Sequence, residues 1–483
     1  MPYNFFQTMV ESNDVRGERQ DRWIMGCFII VSGIILFFNL WARSLENHGY
    51  IRYAEVAREM IRSGDWIVPH LNGEIFIDKP PLLFWLIAIP SALYGSVTPF
   101  IARLPSALSA WLGAVILFLW GKKVYGTTRS GLIAGGVLLS SYQYFYQSRL
   151  AKTDVLLCLF IILSLYFFYL GYRESGKKPY LLYGLSFFSI GLGVLTKGPF
   201  GLIPLGIMAV FLIKEKQWRI WVGREFLFGY LILAITVFPW FILFVHRVGF
   251  EEWIGLLKRS QILTRRAPFY FYWVEIWGQF FPWSLLLPFL FFSLWREKDC
   301  LWKSEKSLFL IWFIFLFVVL TLFKYKASRY LLPALPPLAL MMGGVWEKRF
   351  LYFIIVLLFF ISVWHIRETY WIKKDLSYSP GMVLAEELRP LIKESTLFGY
   401  RLDGATLEEI NFYLDRITPV LREVETISNP SEQKEKGWVL MPKQVYEEVQ
   451  RRGGGFTLVR EFQYKQHKNE RLVLVWVNLQ REY

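Results

Sequence analysis

Residues 154–172 read DVLLCLFIILSLYFFYLGY, and Asp154 at their start is the only charged residue among them. A helix that crosses a bilayer needs about 20 mostly apolar residues, so this stretch predicts a membrane span. Similar apolar runs lie at 23–42, 101–121, 130–147, 180–195, 199–213, 225–245, 280–295, 307–323, 330–346 and 350–366. The pattern predicts a polytopic α-helical membrane protein.

The composition supports a membrane protein. Hydrophobic residues make up 54% of the 483 residues, and the net charge is +15. Basic cytoplasmic loops and a basic membrane-proximal surface explain this charge better than nucleic-acid binding does. Cys27, Cys158 and Cys300 are far apart and the five His are scattered, so no disulfide framework or metal site is indicated.

The distribution of Lys and Arg predicts the topology, because short cytoplasmic loops are enriched in both. With a cytoplasmic N-terminus, and with the apolar stretch 81–95 left out of the count, basic clusters fall on the inner side after every second span. These clusters lie at 122–129, 173–178, 214–224, 296–306 and 348–349. Counting 81–95 as a span would move them outside. We therefore predict about 11 spans, within a range of 11–13, and an interfacial or re-entrant helix at 81–95.

Three polar segments then face outward: 43–100, 247–279 and 367–483. The first two belong to a predicted transmembrane module, residues 1–366. The third predicts a small extracytoplasmic α/β domain. Its helical patterns lie at 382–393, 407–414 and 443–451, and its strand-like runs at 396–400, 417–421, 437–440, 456–461 and 471–477.

The first outer segment includes residues 50–86, YIRYAEVAREMIRSGDWIVPHLNGEIFIDKPPLLFWL, which are too polar to lie in lipid. Pro80 and Pro81 restrict the backbone beside Lys79. A fixed Lys79 near Arg52, with Arg265 or Arg266 from the second outer segment, would bind a phosphate through charge-assisted hydrogen bonds. The alternative is an ordinary ion pair of the loop that involves Asp78.

Two further charged residues lie at the outer ends of spans. Asp154 is either a functional carboxylate or a helix-capping residue. Lys197, in LTKGP, is either a functional cation or a lysine that extends from the membrane toward water. Lys324, Lys326 and Arg329 form a basic outer turn, which breaks the charge bias and favours anion binding.

The order of several motifs resembles that of the bacterial GT-C glycosyltransferases related to aminoarabinose transferase and the protein O-mannosyltransferases. These motifs are RYAEVAREMIRSGDWIVPHLNG (52–73), FIDKPPL (76–82), RLPSAL (103–108), TDVLL (153–157), LTKGP (195–199), APFYFYW (267–273), FPWS (281–284) and YLLPALPPLALMMG (330–343). The family transfers a sugar from a polyprenyl-phosphate carrier to an acceptor on the outer face of the membrane.

The resemblance implies a role for several residues. Lys79 and Arg52, with Arg265 or Arg266, match positions that hold the donor phosphate. Asp154 matches a functional acidic position. The matching substrate-binding positions are Tyr53, Asp78, Lys197 and Tyr330. One departure concerns the base, because the family has Asp-Glu where this chain has Gly49-Tyr50. The nearest carboxylates are Glu46 and Glu55, and we expect Glu46 to replace the missing acid.

The predicted function is transfer of a sugar, with inversion, from a polyprenyl-phosphate donor to a lipid A-like or protein acceptor. A hydroxyl nucleophile needs a base, Glu46 or Asp154, and the leaving phosphate needs cations. No cofactor is expected, and a divalent metal is possible but not indicated. The expected location is the bacterial inner membrane, with the C-terminal domain outside. The alternative is a non-catalytic relative that binds polyprenyl lipid or assists envelope assembly. A transporter is disfavoured, because no repeat and no mid-span charges are evident.

Overall fold

The computed structural model describes residues 3–42, 44–45, 51–260, 267–296, 306–346, 379–393, 395–421, 434–451, 457–465 and 470–480. They form two compact units. The first comprises Met1–Leu40, Ile77–Leu83 and Arg103–Glu368, and the second Trp41–Phe76, Phe84–Ala102 and Thr369–Tyr483. The domain boundary predicted at 366/367 lies outside the described residues and stays a prediction.

The first unit is helical. Its α-helices, wholly or in their larger part, are Tyr3–Phe37, Pro99–Tyr125, Thr128–Ser140, Tyr142–Ser148, Thr153–Arg173, Lys178–Lys197, Ile203–Lys214, Arg224–Val248, Phe250–Ser260, Phe271–Gln279, Leu287–Arg296, Ser307–Leu322 and Leu335–Val345. Short 3-10 segments cover Gly198–Leu202, Trp218–Val222, Trp283–Leu286 and Ser328–Ala334.

Five helical stretches among the described residues are long and apolar enough to cross a membrane. They are Arg19–Phe37, Pro99–Tyr125, Thr153–Arg173, Lys178–Lys214 and Arg224–Val248. A sixth is counted if Phe271–Gln279 and Trp283–Arg296, bent by 112°, form one span. The predicted polytopic helical membrane fold is confirmed. The predicted number of spans stays a prediction, since the run 350–366 lies outside the described residues.

Two apolar regions show how the helices end. The run 130–147 is not one helix, because the chain turns at Ser141, whose hydroxyl donates to the carbonyl of Val137 at 2.6 Å. In the stretch Lys178–Lys214, Gly198 has a φ of 60°, and Gly201 packs directly on Gly193. The stretch Lys178–Lys214 therefore consists of two helices, Lys178–Lys197 and Ile203–Lys214, joined by a sharp reversal.

The core of the first unit is rich in aromatic side chains. Trp120 is fully buried and contacts Tyr169, Phe309 and Trp312, with ring centroids 5.2 to 6.1 Å apart. Aromatic pairs at such separations contribute beyond the area that they bury. This packing joins helices from distant parts of the sequence into one unit.

In the second unit, the first outer segment forms the helix Ile51–Ser63, a hairpin of β1 (His70–Leu71) and β2 (Glu74–Ile75), and the helix Leu82–Tyr94, most of which belongs here. The Glu59 carboxylate accepts hydrogen bonds from the backbone N–H groups of Asn72 and Gly73, at 2.6 and 3.0 Å. The helix Leu82–Tyr94 corresponds to the helix predicted at 81–95. Its place at the membrane interface stays a prediction.

The tail of the second unit contains the helices Pro380–Ile392, Gly404–Leu414 and Lys443–Arg451. Its strands are β3 (Leu397–Tyr400), β4 (Val420–Leu421), β5 (Lys434–Pro442), β6 (Thr457–Lys465) and β7 (Glu470–Gln480). The sheet order is β4-β3-β5-β7-β6, with β3 parallel to both β4 and β5. The predicted α/β domain is confirmed.

Candidate active site

Asp154 lies in the first turn of the helix Thr153–Arg173, in the first unit. Its side chain is 5% exposed, and its Oδ1 atom lies 2.5 Å from Nζ of Lys197. Its Oδ2 atom lies 3.8 Å from Nε of Arg329. The residue at the N-cap position is Lys152, which makes no side-chain capping bond. Asp154 thus does more than occupy a helix terminus, because it pairs with two cations.

Lys197 is the last residue of the helix Lys178–Lys197 and is only 8% exposed at its side chain. Its Nζ lies over the ring of Tyr330, 4.5 Å from the centroid, and 5.6 Å from that of Phe200. A lysine that extends toward water would be exposed, so this alternative is wrong. Lys197 is held by one carboxylate and two aromatic faces.

Arg329 and Tyr330 belong to the 3-10 segment Ser328–Ala334, and the guanidinium carbon of Arg329 lies 5.4 Å from the Tyr330 ring centroid. Arg329 is 43% exposed at its side chain. It was not among the predicted site residues. The signal for it was present, because it lies in the basic outer turn that breaks the charge bias.

Lys79 and Lys152 add two more cations to this charge cluster. Burial lowers the pKa of Lys79, Asp78 opposes this shift, and Lys197 strengthens it. Burial, followed by repulsion from Arg329, lowers the pKa of Lys152 to about 8. The Lys79 ammonium also donates to the carbonyl of Asp78 at 2.7 Å.

We define the cation cluster as Lys79, Lys152, Lys197 and Arg329, gathered around Asp154. Four cations face a single buried carboxylate and the exposed Asp78, so the cluster carries excess positive charge. Burial is the main cause of both lowered pKa values, and repulsion from the neighbouring cations adds to it. An anionic group bound here would relieve this repulsion.

Arg52 belongs to the second unit, at the start of the helix Ile51–Ser63. Its Nε lies 2.9 Å from Oε1 of Glu408. Burial raises the pKa of Glu408, and Arg52 opposes that shift. The neighbouring Tyr53 packs against Phe84, with ring centroids 5.9 Å apart. Sequence reasoning did not find Glu408, since no motif links positions 356 residues apart.

Glu55, the other carboxylate near the missing acidic pair, is buried. It pairs with Arg58, which also lies 2.9 Å from Asp415. Burial raises the pKa of Glu55 to about 7, although Arg58 opposes the shift. Glu55 is thus held within the second unit by an ion-pair network.

Three predicted site residues, Glu46, Arg265 and Arg266, lie outside the described residues. Their roles stay predictions. Within the part of the chain that the structure describes, no group of three or more His, Cys, Asp or Glu could hold a metal ion. Among the described residues, only some of the predicted site residues lie close together. These are Asp78, Lys79, Asp154, Lys197 and Tyr330.

Comparison with known proteins supports the resemblance. A family model described as dolichyl-phosphate-mannose-protein mannosyltransferase matches residues 78–243. An undecaprenyl phosphate-alpha-4-amino-4-deoxy-L-arabinose arabinosyl transferase of Pectobacterium carotovorum is 30% identical over 327 residues, 65% of this chain and 58% of the relative. An uncharacterised protein of Aquifex aeolicus is 28% identical over 312 residues, 64% of this chain and 60% of the relative. The chain spans about three fifths of the length of these relatives.

Solved structures share the fold. ArnT from Cupriavidus metallidurans bound to undecaprenyl phosphate gives a TM-score of 0.74 at 18% identity, over 93% of this chain and 97% of that protein. The apo Archaeoglobus fulgidus oligosaccharyltransferase gives a TM-score of 0.53 at 12% identity, over 82% of this chain and 64% of that protein. The resemblance predicted from the motifs is confirmed: over about two thirds of its length the chain is similar to undecaprenyl phosphate-alpha-4-amino-4-deoxy-L-arabinose arabinosyl transferases, and its fold is that of ArnT.

Proposed function

We propose that this protein transfers a sugar from a polyprenyl-phosphate donor to a lipid A-like or protein acceptor at the outer face of the inner membrane. The observation that carries the proposal is the cation cluster around Asp154. A sugar phosphodiester is a monoanion, and the phosphate that leaves carries more charge. Fixed cations that match this developing charge stabilise the transition state more than the ground state.

The reaction that we propose is a single displacement. An acceptor oxygen attacks the anomeric carbon as the bond to the phosphate oxygen breaks, so the configuration inverts. The electron pair leaves with the polyprenyl phosphate, which Lys79 and its neighbours neutralise. The proton of a hydroxyl acceptor passes to a base, for which we propose Glu46. An acceptor that is already an anion, such as a phosphate, needs no such base.

For Asp154 we propose a positioning role. A carboxylate that accepts from Lys197 and lies beside Arg329 is a poor proton acceptor, because protonation would break both ion pairs. By holding these cations, Asp154 fixes where the phosphate binds. Lys152 is a further proposed phosphate ligand, because the same cluster includes it.

We also propose the orientation that the charge rule predicts, with a cytoplasmic N-terminus and an extracytoplasmic C-terminal domain. Polyprenyl-phosphate sugar and the acceptor would then meet at the outer side. Arg52 in the second unit, with Arg265 or Arg266, remains a proposed phosphate ligand, and Tyr53 a proposed contact for the sugar.

The test is release of polyprenyl phosphate by the purified full chain, with a lipid-linked aminoarabinose or mannose as donor. We expect Lys79→Ala, Asp154→Asn and Glu46→Gln to reduce turnover by at least about tenfold. The first removes a cation that neutralises the leaving phosphate, the second the carboxylate that positions Lys197 and Arg329, and the third the proposed base. Lys122→Ala is the matched control, since Lys122 pairs with Asp21 outside the cluster. Equal turnover in all four variants would contradict the proposal, as would a wild type inactive with every polyprenyl donor.

A second function is favoured by one observation, the presence of Gly49-Tyr50 where the family has Asp-Glu. A relative without the base would bind a polyprenyl-phosphate lipid and release nothing. Donor binding without turnover, lost in Lys79→Ala, would identify this non-catalytic function.

A further inference from the structure

A crevice in the C-terminal part of the second unit lies where a ligand site is expected in an α/β sheet. From β3 the chain runs through the helix Gly404–Leu414 to β4 on one side. From β5 it runs through the helix Lys443–Arg451 to β6 on the other side. In open α/β sheets, ligands bind beyond the carboxyl ends of adjacent parallel strands whose connections diverge in this way.

A cavity of about 400 Å³ occupies this position. This volume lies in the range of small-ligand sites. Its lining comes from the residues that directly follow β3 and β5, and from β6 and β7. The polar residues that matter for the argument are Arg401, Asp403, Lys443, Gln444, Glu447 and Arg471.

The three cations are held in place by carboxylates. Glu461 pairs with both Lys443 and Arg471, at 2.9 Å in each case. Arg401 pairs with Glu448 at 3.2 Å. A guanidinium carries five N–H donors, so an ion pair through one nitrogen leaves donors for a ligand. The cations are therefore arranged before a ligand arrives.

Further features define the chemistry of the crevice. Arg401 has a φ of 48°, a left-handed conformation that costs energy for a residue with a side chain. The helix Lys443–Arg451 begins at the crevice, so its first backbone N–H groups favour an anion. Glu447 and Gln444 add acceptors and a donor, which suit hydroxyl groups. The carboxylate of Asp403 is already used, since it accepts from the N–H and hydroxyl of Thr406.

We propose that this crevice binds a phosphorylated saccharide, with its phosphate at Arg401, Lys443 and Arg471 and its hydroxyl groups at Gln444 and Glu447. Such a group occurs both as a free sugar phosphate and as the headgroup of a phosphorylated glycolipid. The proposal goes beyond the proposed transfer reaction, because it concerns binding by another part of the chain and requires no turnover.

The experiment is isothermal titration calorimetry of the full-length protein in detergent. The probes are glucosamine 1-phosphate, glucosamine without phosphate, and diphosphorylated lipid A dispersed in the same detergent. We expect a phosphorylated probe to bind and glucosamine not to bind. Binding of glucosamine 1-phosphate alone would identify a free sugar phosphate as the ligand, and binding of lipid A alone a glycolipid headgroup.

Arg471→Gln and Lys443→Gln should each weaken binding of the phosphorylated probe by at least about tenfold, through loss of a charge-assisted hydrogen bond. Both side chains are partly exposed, at 47% and 35%, so both variants should fold. Arg460→Gln is the matched control, because it removes a cation of β6 that pairs with Glu387 instead. No binding by the wild type, equal binding of glucosamine, or unchanged affinity in both crevice variants would overturn the proposal.

Discussion

Nζ of Lys197 lies 2.5 Å from Oδ1 of Asp154, and the two side chains are only 8% and 5% exposed. Removing one partner of such a pair leaves an uncompensated buried charge, which costs about 3–5 kcal/mol. Replacing both partners by apolar groups avoids that cost. The contribution of the pair to stability can therefore be separated from its contribution to function.

We predict that Lys197→Met and Asp154→Asn each lower the apparent Tm of the protein in detergent. The double variant Asp154→Leu/Lys197→Met should regain part of this loss and yet release no polyprenyl phosphate. The exposed pair of Lys122 with Asp21 is the control, and its single variants should change stability by less than about 1 kcal/mol. A double variant with normal turnover would show that the pair is only structural.

Lys152 should make donor binding depend on pH. Burial and the neighbouring Arg329 lower its pKa to about 8, so its ammonium loses a proton as the pH rises through that value. A sugar phosphodiester keeps one negative charge throughout. We expect its affinity to fall by roughly tenfold between about pH 7 and about pH 9, as a charge-assisted contact is lost.

The matched variants for this prediction are Lys152→Arg and Lys152→Gln. Arginine stays charged, so Lys152→Arg should keep its affinity at the higher pH. Lys152→Gln should bind weakly at both pH values. The affinity of the wild type and of both variants for the donor is measured with the protein in nanodiscs. A wild type whose affinity is the same at both pH values would show that Lys152 does not contact the phosphate.

Glu55 should make the stability of the second unit fall as the pH rises, which is opposite to the effect of a carboxylate whose pKa is lowered by folding. Burial raises its pKa from 4.5 to about 7 in the folded protein. Between these values the unfolded chain ionises while the folded chain keeps its proton. The stability contributed by Glu55 is therefore complete below about pH 4.5 and declines as the pH rises through about 7.

We expect the apparent Tm to fall between about pH 5 and about pH 7.5, and Glu55→Gln to flatten this fall because glutamine does not titrate. Glu387→Gln is the control, since Glu387 is an exposed partner of Arg460. The same fall in Glu55→Gln as in the wild type would assign it to another group.

Periodicity and turn residues predicted the local structure well. The strands of the tail and its three helices follow from patterns within short, continuous stretches of sequence, which is why local patterns predict them. The break at Ser141 could not, because an apolar run of 18 residues looks the same with or without a turn. The Ser141 hydroxyl bonds to the carbonyl of Val137 in the preceding helical turn, and bonds of this kind often bend helices.

The site was predictable in residue type but not in pairing. Asp154 and Lys197 stand out as charged residues at the ends of apolar runs. Nothing local shows that they meet each other and Arg329, since 43 and 175 residues separate Asp154 from these partners. Likewise, the pairing of Arg52 with Glu408 depends on the tertiary fold. Motifs identify which charges matter, and the fold decides which of them are partners.

Gly201 offers the last test, because it controls the reversal that places Lys197. A Cβ atom at this position would lie 2.2 Å from the backbone nitrogen of Val194, and backbone atoms within a packed helix cannot move aside. Gly201→Ala should force the 3-10 segment away from the helix Lys178–Lys197, at a cost of about 3 kcal/mol or more. We expect a lower apparent Tm together with slower release of polyprenyl phosphate. Gly255→Ala is the control, since no atom lies within 4 Å of its added Cβ and alanine favours a helix. Normal stability and turnover in Gly201→Ala would show that the close contact with Gly193 does not position Lys197.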